Sequence, residues 1–158
     1  MLSPEGYRAA CHTAAIISLS TRGLILVTGD DRVSYLQGLL SNDIAALEPG
    51  QGCYATYLTP QGRMLADLCV LNLGDSLLLD VHSSVTSMLV DRLREFVFME
   101  QVTVQDQTAV WAGFGIHGPE AARIVARIVQ LTSDAGLNRT PARELEALQE
   151  HQHLAGRY

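Results

Sequence analysis

The 158-residue sequence predicts an α+β domain in which helices cover one face of an antiparallel sheet. Short aliphatic runs separated by glycine and proline turns predict strands, and three of them follow one another closely enough to form a meander. Amphipathic stretches before and after the meander predict helices. No repeat of solenoid period interrupts this order of strand, helix, meander, helix and strand.

The strands are predicted from apolar runs that end at turn residues. The meander strands are joined by the turn Thr59–Arg63 and by the pair Gly74-Asp75. The predicted strands are Ala14–Leu19, Leu24–Val27, Cys53–Leu58, Met64–Leu71, Leu77–Val81, Val102–Gln105 and Val110–Ile116.

Three helices are predicted from helical periodicity and capping residues. The first begins at Asp30-Asp31, because acidic residues suit a helix N-terminus, and its apolar positions run as far as Ile44. The second is capped by Ser83 or Ser84 and extends to about Met99. The third begins at Gly118-Pro119-Glu120, with proline in its first turn.

Length and composition indicate one main domain. We assign residues 1–131 to it, and 132–158 to a polar helical tail that could begin a further region. The net charge of −6 argues against nucleic acid or an anionic membrane as partner. All eleven basic residues are arginine, which excludes a Schiff-base or P-loop lysine. Three scattered cysteines suggest neither a disulfide framework nor a metal site, and the lack of a signal-like or spanning segment predicts a cytoplasmic protein.

The candidate site lies on the meander. Strand alternation places Asp67 on an apolar face, where a carboxylate requires a partner such as Arg63, a backbone amide or a neighbouring strand. Asp80 ends an apolar strand, where a turn or cap role is common, and His82 could lie on the same face or at a solvated strand end. Tyr54 on the first meander strand could simply pack in the sheet.

Together, a tyrosine and two aspartates on three neighbouring strands could line a pocket for a flat polar ring. The remaining histidines lack metal-ligand spacing, and no serine lies in a nucleophile-elbow pattern. The residues alone therefore leave a ligand site and ordinary sheet packing as alternatives.

Three ordered motifs resemble the glycine-cleavage T-protein superfamily. They are ILVTGDDRVSYLQGLLSNDI, PGQGCYATYLTPQGRMLADLCV and FGIHGPEA, and the resemblance covers roughly residues 14 to 125. The second motif is especially similar to the YgfZ branch, which includes a mitochondrial iron-sulfur assembly factor. The resemblance implies a tetrahydrofolate-binding fold whose ligand is held by more than this one domain.

The resemblance also implies roles for individual residues. Tyr54 matches the T-protein tyrosine, and Asp67 matches the second aspartate of G-G-x-x-D-D-L, whose first aspartate is Ala66 here. Asp80-Val81-His82 takes the place of the family's V-V-N, and Arg63 replaces the second glycine. The implied ligand-binding residues, none of them assigned as catalytic, are Tyr54, Arg63, Asp67, Asp80 and His82.

Three functions follow as expectations. The first is a tetrahydrofolate-binding protein that assists iron-sulfur enzyme assembly or repair, with iron-sulfur enzymes or assembly proteins as partners and self-association as a further expectation. The second is a folate-dependent aminomethyltransferase, and the third is an interaction module without ligand. The YgfZ signature K-G-C-Y-x-G-Q-E is absent from these residues, and the resemblance implies a fold that is about half complete here. We therefore expect a fragment, a truncated gene, or a second half supplied from elsewhere.

Overall fold

The computed structural model describes residues 3–128, 130–131 and 156–157. They form two compact units: residues 20–112 make up the sheet unit, and the remaining described residues make up the small unit. The predicted tail 132–158 lies outside the described residues except for 156–157, and its separation from 1–131 stays a prediction.

The secondary-structure elements follow one another along the chain in this order: α1 (Pro4–His12), β1 (Ala15–Ser18), β2 (Arg22–Thr28), α2 (Arg32–Gln37), β3 (Gly52–Leu58), β4 (Met64–Asn72), β5 (Ser76–His82), a 3₁₀ turn (Ser83–Val85), α3 (Thr86–Glu95), β6 (Thr103–Asp106), β7 (Phe114–His117), α4 (Ala121–Ile128), β8 (Gln130–Leu131) and β9 (Gly156–Arg157).

The sheet unit contains a five-stranded antiparallel sheet of order β3-β4-β5-β2-β6. Helices α2 and α3 bury Leu36, Leu89 and Leu93 in the same cluster as the inward side chains of the strands. The predicted α+β class, with helices on one face of an antiparallel sheet, is confirmed. None of the described helices has the length and apolar character needed to cross a membrane.

The first predicted helix is shorter than its apolar pattern suggested. It ends at Gln37, whose side-chain oxygen accepts the backbone N–H groups of Ile44 at 2.6 Å and Ala45 at 2.9 Å. Ile44 is buried although it lies outside the helix. The apolar spacing therefore predicted correctly that Ile44 is buried, but it predicted a helix that is too long. The expected acidic cap is also different, because the Asp31 carboxylate accepts the Gln101 N–H at 2.8 Å instead of capping its own helix.

The second predicted helix is wrong at both ends by a few residues. It begins as a 3₁₀ turn in which the His82 ring accepts the Ser84 N–H, so the cap is a histidine and not a serine. It ends at Glu95 rather than near Met99, because the Glu100 carboxylate accepts the N–H groups of Phe98 and Met99 and holds that segment in a turn.

The small unit contains β1 paired with β7, the helices α1 and α4, and the short pair β8–β9. Helix α1 was not predicted, although its signals are present: Ser3 accepts the N–H of Gly6, and Pro4 occupies the first turn. The strand predicted at Val110–Ile116 begins only at Phe114, because Val110 donates to the Gln107 carbonyl in a turn.

Candidate ligand-binding face

The two faces of the five-stranded sheet differ in chemistry because successive side chains point to opposite sides. One face is the core. The other, which we call the polar face, is defined by the side chains of Arg22, Tyr54, Thr56, Asp67, Asp80 and His82. Along β4 the alternation is plain: Ala66 and Leu68 are buried, whereas Asp67 between them is exposed.

Strand register brings four of the predicted residues together on the polar face. Tyr54 pairs with Cys69 across β3 and β4, and Cys69 pairs with Asp80 across β4 and β5. Asp67 lies one step before the Leu68–Val81 pair, which places it beside His82, the last residue of β5. Tyr54, Asp67, Asp80 and His82 therefore occupy one patch on three adjacent strands.

Tyr54 and Asp67 form a hydrogen-bonded pair. The Tyr54 hydroxyl donates to Asp67 Oδ2 at 3.3 Å across the β3–β4 ladder. Partial desolvation, followed by the charge and hydrogen bond of Asp67, raises the pKa of Tyr54. The expectation that Asp67 is buried is wrong, because the side chain is exposed, although Cys69 and Leu71 share its face as expected. Its partner is on the neighbouring strand, which was one of the alternatives.

Asp80 forms an ion pair that the sequence analysis missed. Arg22 Nε donates to Asp80 Oδ1 at 2.7 Å, and Arg22 Nη2 donates to the Asp80 carbonyl at 2.9 Å. Both side chains are about one third exposed, at 33% and 31%. The two residues are 58 positions apart, so only the antiparallel pairing of β2 with β5 could have revealed the contact.

His82 lies at the exposed end of β5, as the solvated alternative expected. Its Nδ1 lies 2.8 Å from Ser84 Oγ and accepts the Ser84 N–H at 3.3 Å. The ring is therefore held at the boundary between the polar face and the 3₁₀ turn.

Arg63 stands apart from the other four residues. It lies in the exposed hairpin turn between β3 and β4, where Gly62 adopts a φ of 79° and the Thr59 N–H donates to the Arg63 carbonyl at 2.8 Å. Its side chain makes no hydrogen bond or ion pair with any residue that the structure describes, so the alternative of an Arg63–Asp67 pair is not realised.

The serine-asparagine-aspartate motif after α2 supports the polar face from its edge. The Ser41 N–H donates to the Thr56 carbonyl at 3.1 Å, and Ser41 Oγ accepts the Thr56 N–H at 2.9 Å. Asn42 Nδ2 donates to the Tyr54 carbonyl at 2.8 Å. These contacts occupy the outer edge of β3, and they hold Tyr54 in its register.

The polar face offers acceptors, a phenol and one arginine. Two carboxylates on neighbouring strands suit a ligand that presents several N–H donors, and the tyrosine ring adds a flat apolar surface. Among the described residues, no cluster of histidine, cysteine or acidic side chains is arranged to bind a metal ion. Two cavities in the described part of the sheet unit, of about 420 and 580 Å³, are lined by residues other than Tyr54, Asp67, Asp80 and His82.

The comparisons with known proteins place this sheet in a family. The model of the GCVT N-terminal domain matches residues 4–155. An aminomethyltransferase of Lysinibacillus sphaericus is 31% identical over 122 residues, which are 77% of this chain and 33% of that protein. The tRNA-modifying protein YgfZ of Sodalis glossinidius is 30% identical over 108 residues, 68% of this chain and 33% of that protein.

A mitochondrial iron-sulfur cluster assembly factor, the IBA57 homolog of Mycosarcoma maydis, is 38% identical over 98 residues, 54% of this chain and 24% of that protein. The crystal structure of glycine cleavage system aminomethyltransferase T from Bartonella henselae superimposes with a TM-score of 0.70 at 24% identity and shows the same fold; the match covers 94% of this chain and 37% of that one.

The chain spans about a third of the length of the aminomethyltransferase and YgfZ relatives. The resemblance inferred from the three sequence motifs is confirmed by these matches. The chain belongs to the GCVT N-terminal domain family and corresponds to the N-terminal part of the T-protein/YgfZ-like folate-binding superfamily.

Proposed function

We propose that this chain contributes a tetrahydrofolate-binding face to a YgfZ-like protein that assists the assembly or repair of iron-sulfur enzymes. The observation that carries the proposal is the gathering of the Tyr54–Asp67 pair and the Asp80–Arg22 pair on one face of the sheet. Similarity to YgfZ and to the IBA57 homolog supports the choice of branch.

The chemistry of a reduced pterin fits this face. The pterin ring carries amino and N–H groups, and one carboxylate can accept hydrogen bonds from two of them. Asp67 is exposed, and one of its oxygens accepts the Tyr54 hydroxyl. Arg22 holds Asp80 in a fixed orientation and offsets its charge. The face therefore presents two oriented carboxylates whose mutual repulsion is reduced by one cation.

The position of Ala66 bears on how the family's aspartate doublet is used here. Ala66 is 4% exposed and packs in the core, while Asp67 faces outward. Of the two doublet positions, a ligand on the polar face can reach Asp67 alone. Loss of the first aspartate therefore leaves the exposed acceptor in place.

The second candidate is a folate-dependent aminomethyltransferase, in which the Asp67 carboxylate would assist transfer from a carrier-bound methylamine to tetrahydrofolate. Similarity to aminomethyltransferases supports it. Ala66 and the YgfZ-like Arg63 favour the first proposal. An interaction module without ligand is the third candidate, and iron-sulfur partners, self-association and a cytoplasmic location remain predictions that accompany the first.

Calorimetric titration with tetrahydrofolate tests the proposal. We expect weak but saturable binding, because the chain spans a third of its relatives and more than this domain forms the ligand site in the family. Asp67→Asn should weaken binding about tenfold, since a charge-assisted hydrogen bond contributes roughly 1.5 to 3 kcal/mol. Asp91→Asn, an exposed carboxylate on α3, is the matched control and should bind like the parent chain.

Circular dichroism before each titration establishes that the sample is folded. A folded chain that shows no heat of binding at millimolar tetrahydrofolate would contradict a ligand role for this face and favour the interaction module. The separate test of the second candidate is transfer of the one-carbon unit from an aminomethyl-loaded lipoyl carrier protein to tetrahydrofolate, with release of ammonia and the free carrier thiol. We expect no turnover; turnover that Asp67→Asn abolishes would favour the aminomethyltransferase.

A further inference from the structure

A groove of about 420 Å³ lies at the hairpin end of the sheet unit, and the proposed folate-binding residues do not line it. We call it the Tyr57 groove. The end of α2, the β3–β4 hairpin and the C-terminal part of α3 form its walls. Its lining residues are Gly38, Leu39, Tyr57, Leu58, Thr59, Pro60, Gln61, Leu65, Arg92 and Phe96.

Tyr57 contributes a hydroxyl donor to the wall of the groove. It is 5% exposed, and its hydroxyl makes no hydrogen bond with any residue in the described part of the chain. Burial raises the pKa of Tyr57, so the hydroxyl stays protonated and available as a donor near neutral pH. Among the described residues the Tyr57 hydroxyl is not one of the solvent-excluded unpaired atoms, so it is open to the groove and can donate to a molecule that binds there.

Arg92 provides a cation in the same groove. Arg92 and Tyr57 both line the groove. Arg92 Nη1 donates to Glu95 Oε2 at 3.0 Å, and both side chains are more than half exposed, at 53% and 60%. An exposed i,i+3 ion pair of this kind is weak, so Arg92 is free to exchange Glu95 for an incoming anion.

The rest of the wall is apolar. Leu58, Leu65 and Phe96 line the groove and are each between about a third and a half exposed, at 39%, 37% and 42%. Pro60 and Leu39 extend the apolar surface on either side. A groove of this volume, with an apolar wall and few polar groups, has the character of a small-molecule site.

We infer that the Tyr57 groove binds a small organic carboxylate with an apolar body. The carboxylate accepts hydrogen bonds from the Tyr57 hydroxyl and the Arg92 guanidinium, and the body packs on Leu58, Leu65 and Phe96. A neutral apolar molecule would leave the Tyr57 donor unpaired, and an organic cation would face Arg92. The site requires no group on the polar face, so it is independent of the proposed folate function.

Titration of the ¹⁵N-labelled chain with octanoate tests the inference by amide chemical shifts. We expect saturable shifts at residues around the groove, with Gly38, Leu39 and Gln61 as reporters. Octanol and octylammonium carry the same alkyl body with a neutral and a cationic head, and we expect each to bind at least about tenfold more weakly.

Arg92→Gln and Tyr57→Phe should each raise the dissociation constant of octanoate about tenfold. Arg123→Gln is the matched control, because Arg123 forms the same kind of exposed i,i+3 pair, with Glu120 at 2.6 Å, and is not among the residues that line the groove. Tyr57→Phe should unfold at the same urea concentration as the parent chain, since its hydroxyl stabilises nothing in the described structure.

The inference is overturned if octanol binds as tightly as octanoate, if octanoate produces no saturable shifts, or if Arg92→Gln binds like Arg123→Gln. Asp67→Asn separates the two proposals. It should weaken tetrahydrofolate binding and leave octanoate binding unchanged, so either site can fail without the other.

Discussion

The two faces of the five-stranded sheet are built from alternate residues of the same strands and follow different rules. On the core face, Ile25, Leu68, Val70 and Leu79 are at most 1% exposed and differ only in aliphatic shape. On the polar face, an ion pair and a phenol–carboxylate pair lie among residues that are mostly partly open to solvent, with Leu78 at 5% as an exception. One set of positions holds the fold together, which leaves the other set available for chemistry.

Of the substitutions that compare the two faces, Ala66→Asp should have the largest effect on the free energy of unfolding. It restores the family's aspartate doublet at a position that belongs to the core. Ala66 is 4% exposed, and a carboxylate there would be buried without a partner. We expect the free energy of unfolding to fall by about 4 kcal/mol at pH 7. Burial raises the pKa of such a carboxyl, so acidification to pH 5 should recover part of the loss.

Urea denaturation monitored by circular dichroism at both pH values measures this effect. Leu65→Asp is the matched control, because Leu65 precedes Ala66 and is 37% exposed; we expect a change of about 1 kcal/mol or less. Equal losses in the two variants would mean that the faces do not differ as described.

Leu68→Ala and Leu71→Ala compare the faces with one residue type on one strand. Leu68 is 1% exposed on the core face, whereas Leu71 is half-buried on the opposite face. Truncation of Leu68 should cost about 3 kcal/mol, since it removes apolar contacts and leaves a cavity. Leu71→Ala should cost about 1 kcal/mol, and urea midpoints would contradict the comparison if the order were reversed.

The core face was predictable because apolar periodicity reports burial directly. The β4 and β5 runs were identified to within a residue or two, since each is a mainly apolar segment, interrupted by a single aspartate, between turns. Helix lengths were not, because Leu40 and Ile44 keep a helical spacing of apolar residues after the chain has left the helix. Side-chain caps such as Gln37 and Glu100 ended the helices, and neither residue type marks an end by itself.

The polar face was only partly predictable. Alternation placed Tyr54, Asp67 and Asp80 on three strands, and the structure brings those strands together in the expected order. Arg22 was missed, because its partner depends on the pairing of β2 with β5 rather than on any local pattern. Arg63 was included through family resemblance, although its side chain makes no contact with the patch in the described structure.

The pH dependence of stability tests the burial of Tyr35, a core residue of α2. Its hydroxyl donates to the Leu93 carbonyl, and burial raises its pKa to about 12. The folded chain therefore holds this proton more tightly than the unfolded chain, whose tyrosine titrates near 10. The resulting stability is complete below pH 10 and is lost as the pH rises towards 12. The loss from this residue should reach about 1.4 kcal/mol by pH 11.

Tyr35→Phe removes that titration and the hydrogen bond together. We expect the variant to be about 1 kcal/mol less stable at pH 8 and the gap to close by pH 11, as urea midpoints at the two pH values would show. A gap that stays constant between those pH values would exclude a raised pKa for Tyr35.

Asp67→Asn should produce the smallest change in stability and the most specific change in chemistry. Asp67 is exposed and contributes one hydrogen bond from Tyr54, so we expect the free energy of unfolding to change by less than about 0.5 kcal/mol. The charge and hydrogen bond of Asp67 both raise the pKa of Tyr54, after partial desolvation as the larger cause. Removal of the charge should therefore lower the Tyr54 pKa without returning it fully to the ordinary value.

NMR titration of the Tyr54 ring measures this pKa, and the Tyr35 ring is an internal control whose pKa should not change. An unchanged Tyr54 pKa would mean that the Tyr54–Asp67 pair does not form in solution.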